Sequence, residues 1–311
     1  MRIVTLLPAA TEMVCALGLE DALVGRSHEC DTPASILDRP IVTGAAIDDR
    51  SSSAEIDQMV REFTQTGRPL YHLDAKLLQE LNPDLLVTQE LCDVCAITPT
   101  QVDAALEGME TRPFVLRLGP GGLEDVLQDF IRLGQATDRL SQARDFRAHL
   151  EQRITSITNQ ATISPRPKVL FLEWLDPAFS AGHWNPELIN RAGGENVLNT
   201  PPGVHSRGID DVTLANVQPD LIYVAACGFT AERARREWDA LPPDHPVRQT
   251  HRRSRARLVF SDGNAFFNRP GPRLVESLTL LAGAIRDTAA SMTTFESTAS
   301  PSENNSQKPN L

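Results

Sequence analysis

The sequence predicts an α/β fold with mostly parallel sheets, arranged in two lobes. Three observations carry that expectation. Strand-like and helix-like segments alternate along the chain, the pattern of a parallel sheet covered on both faces. The chain has 311 residues, more than one small core accommodates. It also echoes itself: Leu81-Asn82-Pro83-Asp84-Leu85-Leu86-Val87 is matched by Val217-Gln218-Pro219-Asp220-Leu221-Ile222-Tyr223, and each segment leads to a cysteine, Cys92 and Cys227. The echo is short, so it supports related lobes while also fitting an ordinary start of an αβ unit.

The elements follow in order. Arg2–Leu7 is a β-branched, apolar strand stopped by Pro8, and Ala10–Leu17 is a helix ended by Gly18. Ala22–Gly25 is a second strand, and Ile41–Val42 a short third. Helical spacing of Ile56, Met59, Val60 and Phe63 marks Glu55–Thr64, and Leu73, Leu77, Leu78 and Leu81 mark Asp74–Leu81. Asp84–Thr88 and Phe114–Leu118 are strands. From Leu123 to Thr158 there is no proline and one glycine, Gly134, which reads as a long helix that Gly134 or Ala136–Leu140 can divide. At ~1.5 Å per residue such a helix crosses the molecule. Then come strand Lys168–Trp174, helix Pro186–Ala192, strand Asp220–Ala225, helix Thr230–Ala240, strand Arg257–Phe260 and helix Pro272–Arg286. Thr288–Leu311, rich in Ser, Thr, Asn and Pro, reads as a disordered tail.

Composition narrows the function. With 30 Lys+Arg against 41 Asp+Glu the formal net charge is −11, which argues against nucleic acid or an acidic membrane as the main partner. The basic run His251–Arg257 reads as a solvated loop. No stretch reaches the ~18–20 apolar residues of a membrane span. The opening Met-Arg-Ile-Val-Thr-Leu-Leu-Pro lacks a secretory signal, so the expected location is cytoplasmic as written, or periplasmic if the true start lies upstream. Five cysteines, an odd number, fit reduced thiols rather than a disulfide framework.

Polar, aromatic and sulfur residues gather at the carboxyl ends of the predicted strands, where open α/β sheets bind ligands. They include Thr11, Glu12, His28 to Asp31, Gln89 to Cys95, Glu173 to Trp184, Cys227 to Thr230 and Asp262 to Arg273. If the two sheets face each other, these segments line one cleft. Cys92-Asp93-Val94-Cys95 is a CxxC that admits a metal or redox site, pocket lining or a structural role. Cys30, His28 or Cys227 would complete a metal site only if the fold brings them together. Cys15 reads as a buried small residue. Trp174 and Trp184 offer flat apolar surface to a planar ligand, with core packing as the competing role. Gly-x-Ser-x-Gly, His-Glu-x-x-His and phosphate-loop templates are absent from the sequence. Gly119-Pro120-Gly121-Gly122 reads as a turn before the long helix.

Leu6-Leu7-Pro8-Ala9-Ala10-Thr11-Glu12, Ala16-Leu17-Gly18-Leu19, Arg191-Ala192-Gly193-Gly194 and the twin Pro-Asp-Leu segments resemble the periplasmic cobalamin- and iron-siderophore-binding proteins, the BtuF-like group, over roughly residues 1–286. Ser27-His28-Glu29-Cys30-Asp31, Cys92-Asp93-Val94-Cys95 and Arg269-Pro270-Gly271-Pro272-Arg273 resemble a subgroup labelled cobalamin-binding that lacks a signal peptide.

The resemblance implies two α/β lobes joined by a single long helix, with the ligand cleft between them. The expected division is an N-terminal lobe at 1–121, a connecting helix at 122–160, a C-terminal lobe at 161–287 and a tail at 288–311. It implies a non-catalytic binding protein for cobalamin, another corrinoid or a related metal chelate, working with an ABC permease. The candidate ligand contacts are Thr11, Glu12, His28, Gln89, His183, Trp184, Arg207, Phe229, Phe266, Phe267, Arg269 and Arg273, the arginines pairing with carboxylate or phosphate. Cys30, Cys92, Cys95 and Cys227 are the candidate metal ligands. Glu55 and Glu195 are the candidates for docking to permease arginines. The competing expectation is a cytoplasmic metal- or thiol-dependent enzyme, or a metal-handling protein, on the same fold.

Overall fold

The computed structural model describes residues 1–47, 50–90 and 97–299, with side chains described as far as residue 292. Cys92 and Cys95 lie outside the described residues.

In the N-terminal lobe the chain runs β1 (Ile3–Thr5), α1 (Pro8–Ala16), β2 (Leu23–Gly25), β3 (Thr43–Ala45), α2 (Ser53–Thr66), β4 (Tyr71–Leu73), α3 (Ala75–Leu81), β5 (Leu85–Gln89), α4 (Pro99–Leu106), β6 (Phe114–Leu118) and α5 (Leu123–Ala136). After α6 (Leu140–Gln160), the C-terminal lobe runs β7 (Lys168–Leu175), β8 (Ala178–Ser180), α7 (Asn185–Arg191), β9 (Glu195–Asn196), α8 (Asp211–Asn216), β10 (Leu221–Val224), α9 (Ala231–Ala240), α10 (Pro246–Ser254), β11 (Arg257–Phe260) and α11 (Leu274–Ala299). The first sheet is parallel, in the order β2-β1-β5-β6. The second is ordered β11-β10-β7-β8, with β9 parallel and β8 antiparallel to β7. The expected α/β class and mostly parallel sheets are thus present. β3 and β4 form a separate antiparallel pair.

The sequence echo has a structural counterpart. Asp84 takes its backbone N–H to Arg2 O and Asp220 takes its own to Lys168 O, each at 2.8 Å. The Asp84 carboxylate accepts from Arg2 N at 2.6 Å, and the Asp220 carboxylate from Lys168 N at 2.7 Å. The Asp84 carbonyl then accepts from Phe114 N and the Asp220 carbonyl from Arg257 N, each at 2.9 Å. One aspartate per lobe therefore ties three parallel strands at their amino ends. Pro-Asp recurs because an extended residue after proline leads straight into the strand.

The joining helix is shorter than the whole stretch, which divides within Ala136–Leu140, one of the two breaks the sequence offered. The stretch breaks at 137–139, and α6 folds back along α5: Phe130 meets Phe146 at 5.1 Å, and Arg147 pairs with Glu124 at 2.6 Å. Close approach requires Gly134, where a Cβ would fall 2.5 Å from the Ala143 Cβ. α5 packs on α1 and β6 of its own lobe, so α6 alone makes the crossing. Its 21 residues span about 32 Å. Arg153 on α6 pairs with Glu276 on α11 at 2.8 Å.

Two expectations fail. The last helix does not stop at Arg286 but continues to Ala299, with Thr288 buried and its hydroxyl donating to Ala284 O. The basic run is not a loop. His251–Ser254 forms the end of α10, and its arginines reach backbone carbonyls: Arg253 donates to Leu214 O at 2.8 Å and Arg252 to Pro243 O at 3.1 Å. Such bonds satisfy carbonyls that helix ends leave open. Gly121 and Gly122 do form the turn before α5, their N–H groups donating to the Asp125 carboxylate.

Candidate functional site

Among the described residues the lobes meet through three sets of contacts at the carboxyl ends of the sheets. The first is ionic and joins residues expected to hold ligand. Pro8 starts α1 directly after β1, which leaves Glu12 one turn into the helix and buried. A single π turn, Gly263–Phe267, delivers Arg269 and Arg273 from the other lobe. Arg273 donates to both Glu12 oxygens at 2.9 and 2.5 Å, and Arg269 lies 3.4 Å from Glu12 Oε1. Arg269 also forks onto Asp31 at 2.5 and 3.0 Å and meets Asn264 Oδ1 at 3.1 Å. Burial pushes the Asp31 carboxyl up, but the hydrogen bond and charge of Arg269 outweigh it and hold the group below its usual range. Glu12, Arg269 and Arg273 are therefore paired as an interlobe clamp. Asp31, inside a segment the sequence marks as dense in coordinating groups, is the partner that reading missed.

The second contact is made by the start of α2. Ser53 N donates to Glu237 Oε2 at 2.9 Å, Trp174 Nε1 donates to Ser53 O at 3.1 Å, and Arg233 donates to Ser51 O at 2.8 Å. In the third, Leu123 N donates to Glu187 Oε2 at 3.2 Å, and Gly203 sits against Gly121.

Several other predicted ligand residues are buried or half-buried in this structure. Thr11 is fully buried, its hydroxyl between Thr5 Oγ1 at 2.6 Å and Cys30 Sγ at 2.9 Å. Trp184 is buried, and its indole N–H donates to Phe267 O at 2.8 Å. Phe267 packs against Phe171 and Tyr223 with no exposure. Phe229 is buried beside Trp174, ring centres 4.9 Å apart, with the Arg233 guanidinium 3.8 Å over its face. Phe266 is half-buried below Arg273. Gln89 is half-buried at the end of β5.

The polar groups left on the facing lobes are mainly histidines. His28 follows β2 and holds Thr43 Oγ1 through Nδ1 at 2.7 Å, with Tyr71 beside it at 5.8 Å. His183 follows β8 with φ +53° and meets the exposed His205 edge-on at 4.7 Å. Backbone bonds from His183 N to Val204 O and from Gly203 N to His183 O hold the two loops together. The buried His183 Nδ1 has no partner. Burial and then His205 lower its pKa to about 4, so the ring is neutral through the physiological range. Glu173 beneath accepts from Gly182 N and Asn185 Nδ2, each at 2.7 Å, and complete burial pushes its carboxyl up. Arg207 is exposed and lines a groove of about 290 Å³ with Ser180, Leu198, Pro201 and Val204.

The neutral His183 gives a testable sign. Its folded pKa is about 4 against 6.5, so the unfolded chain binds a proton the folded chain refuses, and stability falls as pH drops from 6.5 toward 4. His183→Gln is expected to flatten that fall in melts taken from pH 7.5 to 4.5. His28, lowered by burial and His72, leaves a residual slope of the same sign.

Of the predicted metal set, only Cys30 and Cys227 fall within the described residues. Cys30 is buried in the N-terminal core under Thr11, and burial pushes its thiol up to about 11, while Cys227 is exposed. Among the described residues no group of three or more His, Cys, Asp or Glu side chains is placed to hold a metal ion. Cys15, half-buried rather than fully so, is likewise raised to about 11, by burial first. Glu55 is exposed at the first turn of α2, its carboxylate closing a capping box with Ser52, and Glu195 is exposed on β9. Among the described residues no helix is long and apolar enough to cross a membrane.

Comparison with known proteins agrees with this architecture. The profile of the periplasmic binding protein family matches residues 3–240. A cobalamin-binding protein of Halobacterium salinarum is 24% identical over 295 residues, covering 92% of this chain and 70% of that protein. The apo heme-binding protein RhuT of Roseiflexus sp. RS-1 superposes with a TM-score of 0.66 at 22% identity, covering 93% of this chain and 98% of the other. The vitamin B12-binding protein BtuF of Vibrio cholerae gives 0.62 at 17%, covering 92% and 97%.

Proposed function

Because the chain belongs to the periplasmic binding protein family, we propose that it is the substrate-binding component of an ABC-type uptake system and carries cobalamin, another corrinoid or a related metal chelate between its lobes. The observation that carries the reading is the pairing of two parallel sheets whose carboxyl ends face each other across an interlobe seam. Ligands of open α/β sheets bind at such ends. The cobalamin relative covers nearly the whole chain, and a B12-binding and a heme-binding structure share its fold.

The ligand contacts fall to the residues not consumed by the core or the clamp: His28 on one lobe, and His183, His205 and Arg207 on the other. The neutral His183 imidazole suits a metal centre or a polar rim, and Arg207 suits a phosphate or carboxylate of the ligand. Exposed Glu55 and Glu195 remain the proposed contacts to permease arginines. The family's setting supports a periplasmic location, the alternative expected for an upstream start, and does not support the cytoplasmic one. No catalytic step is proposed, since the family and the solved relatives are binding proteins.

Titration with hydroxocobalamin, followed by absorption and calorimetry, tests the reading. A shifted corrinoid spectrum with saturable heat is expected, reduced at least tenfold in affinity in His183→Ala. No spectral change and no heat with hydroxocobalamin, cobinamide or hemin would sink it.

A further inference from the structure

α2 does not behave as a helix of the lobe that encodes it. It is inserted between β3 and β4, yet its main packing partner is β7 of the opposite lobe. Ser53 is its one buried residue, and Ser53 is buried by the far lobe: its N–H meets Glu237 and its carbonyl meets the Trp174 indole. Ser51 O receives Arg233, and Ile56 packs against the apolar cluster of the C-terminal lobe. Met59, Val60 and Phe63 share the helical face of Ile56 and are half-buried. A capping box at Ser52 and Glu55, and a left-handed cap at Gly67, make α2 a complete helix at both ends, so it needs no lobe to define it.

What α2 covers also matters. Beneath its first turn lie Trp174 and Phe229, in ring contact, with Arg233 stacked on Phe229. Two aromatic rings and a guanidinium form a surface suited to a flat, electron-rich ring system. It sits at the carboxyl end of β7 and just beyond β10, on the face turned to the other lobe.

We propose that α2 is a gate, carried by the N-terminal lobe and latched on the C-terminal lobe through Ser51 and Ser53, whose release opens the seam and exposes Trp174 and Phe229 to a planar ligand. Among the described residues the latch consists of three hydrogen bonds and the packing of Ile56, contacts that open and close on the timescale of binding. Entry of ligand rests on the binding role proposed above, whereas the latch itself does not.

The experiment has a ligand-free arm and a ligand arm. In the first, Arg233→Ala/Glu237→Ala is compared with the unaltered full chain by hydrogen exchange and by acrylamide quenching of tryptophan emission. Exchange at the amides of α2 is expected to quicken several-fold with β1 and β5 unchanged. Quenching is expected to rise, and Trp174→Phe in the same background should remove the increase. Unchanged exchange and quenching would overturn the gate, whether or not any ligand binds. In the second arm, the association rate of hydroxocobalamin is expected to rise several-fold in Glu237→Ala alone, which loosens Ser53 while keeping Arg233 on Phe229. Binding at an unaltered rate despite a loosened α2 would overturn the gating role. Absence of binding by both proteins would instead count against the proposed ligand, leaving the first arm to decide the latch.

Discussion

Glu12→Ala is expected to lower folding stability by about 3–5 kcal/mol, because it removes the centre of a buried charge network and leaves two guanidiniums facing each other. Glu12 and Arg269 are each no more than 5% exposed at the side chain, so water cannot take over the lost partner cheaply. The corresponding drop in melting temperature is about 10 °C for a chain of this size. Asp31→Asn is the contrast. Its side chain is 52% exposed, and the exposed arm of the same network should contribute only about 1 kcal/mol. Arg273→Met in the Glu12→Ala background restores charge balance, so the double variant should be more stable than the sum of the single effects predicts. Thermal and denaturant melts of the unaltered chain, Glu12→Ala, Asp31→Asn, Arg273→Met and the double variant check the ordering. Equal losses for Glu12→Ala and Asp31→Asn would mean that burial does not set the strength of the clamp. Because Glu12 lies on one lobe and both arginines on the other, the loss should appear as a loosened lobe–lobe seam before either sheet unfolds.

The sheets were legible in the sequence because parallel strands write themselves as short apolar runs after turn signals. Phe114–Leu118 and Arg257–Phe260 needed no change of boundary. The break after Ala136 was legible as a place where the long stretch could divide, and it forms where Gly134 lets Ala143 come close. Elements fixed by distant packing were not legible. α10 is a helix with few apolar residues, held by arginines reaching the Leu214 carbonyl of α8 and the Pro243 carbonyl of the preceding turn, so its sequence looks like a charged loop. At the site, too, distant partners have no local signal. Arginines in a Gly-Pro loop resemble anion ligands until a glutamate 261 positions away is seen to occupy one of them. Trp184 resembles a ligand platform, yet its N–H is spent on Phe267. The amphipathic face of α2 was readable, but not which lobe would receive it. His183 kept its expected place at a strand end, while its companion His205 had no local signal.

Gly182→Ala is expected to damage ligand binding more than any single contact residue does. A Cβ at this position would lie 2.2 Å from Ser206 N and 2.7 Å from Ser206 Cα, both backbone atoms that cannot rotate away. The clash must be relieved by moving one loop against the other, and those loops carry His183 and His205 on a shared pair of backbone hydrogen bonds. The same shift pulls Gly182 N from Glu173 Oε1, and a carboxyl already penalised by burial then loses one of its two closest donors. Overpacking alone costs about 1–3 kcal/mol, and the lost hydrogen bond adds about 1 kcal/mol. The fold has enough core elsewhere to survive that. A ligand that depends on both imidazoles does not, and affinity for hydroxocobalamin should fall by about 100-fold if roughly 3 kcal/mol of contact energy is misplaced. Gly208→Ala, in the groove beside Arg207 with no heavy atom within 4 Å of its added methyl, should bind normally. If both variants bind as the unaltered chain does, the ligand does not touch this pair of loops, and the search for contacts moves to His28, Tyr71 and His72 on the opposite lobe.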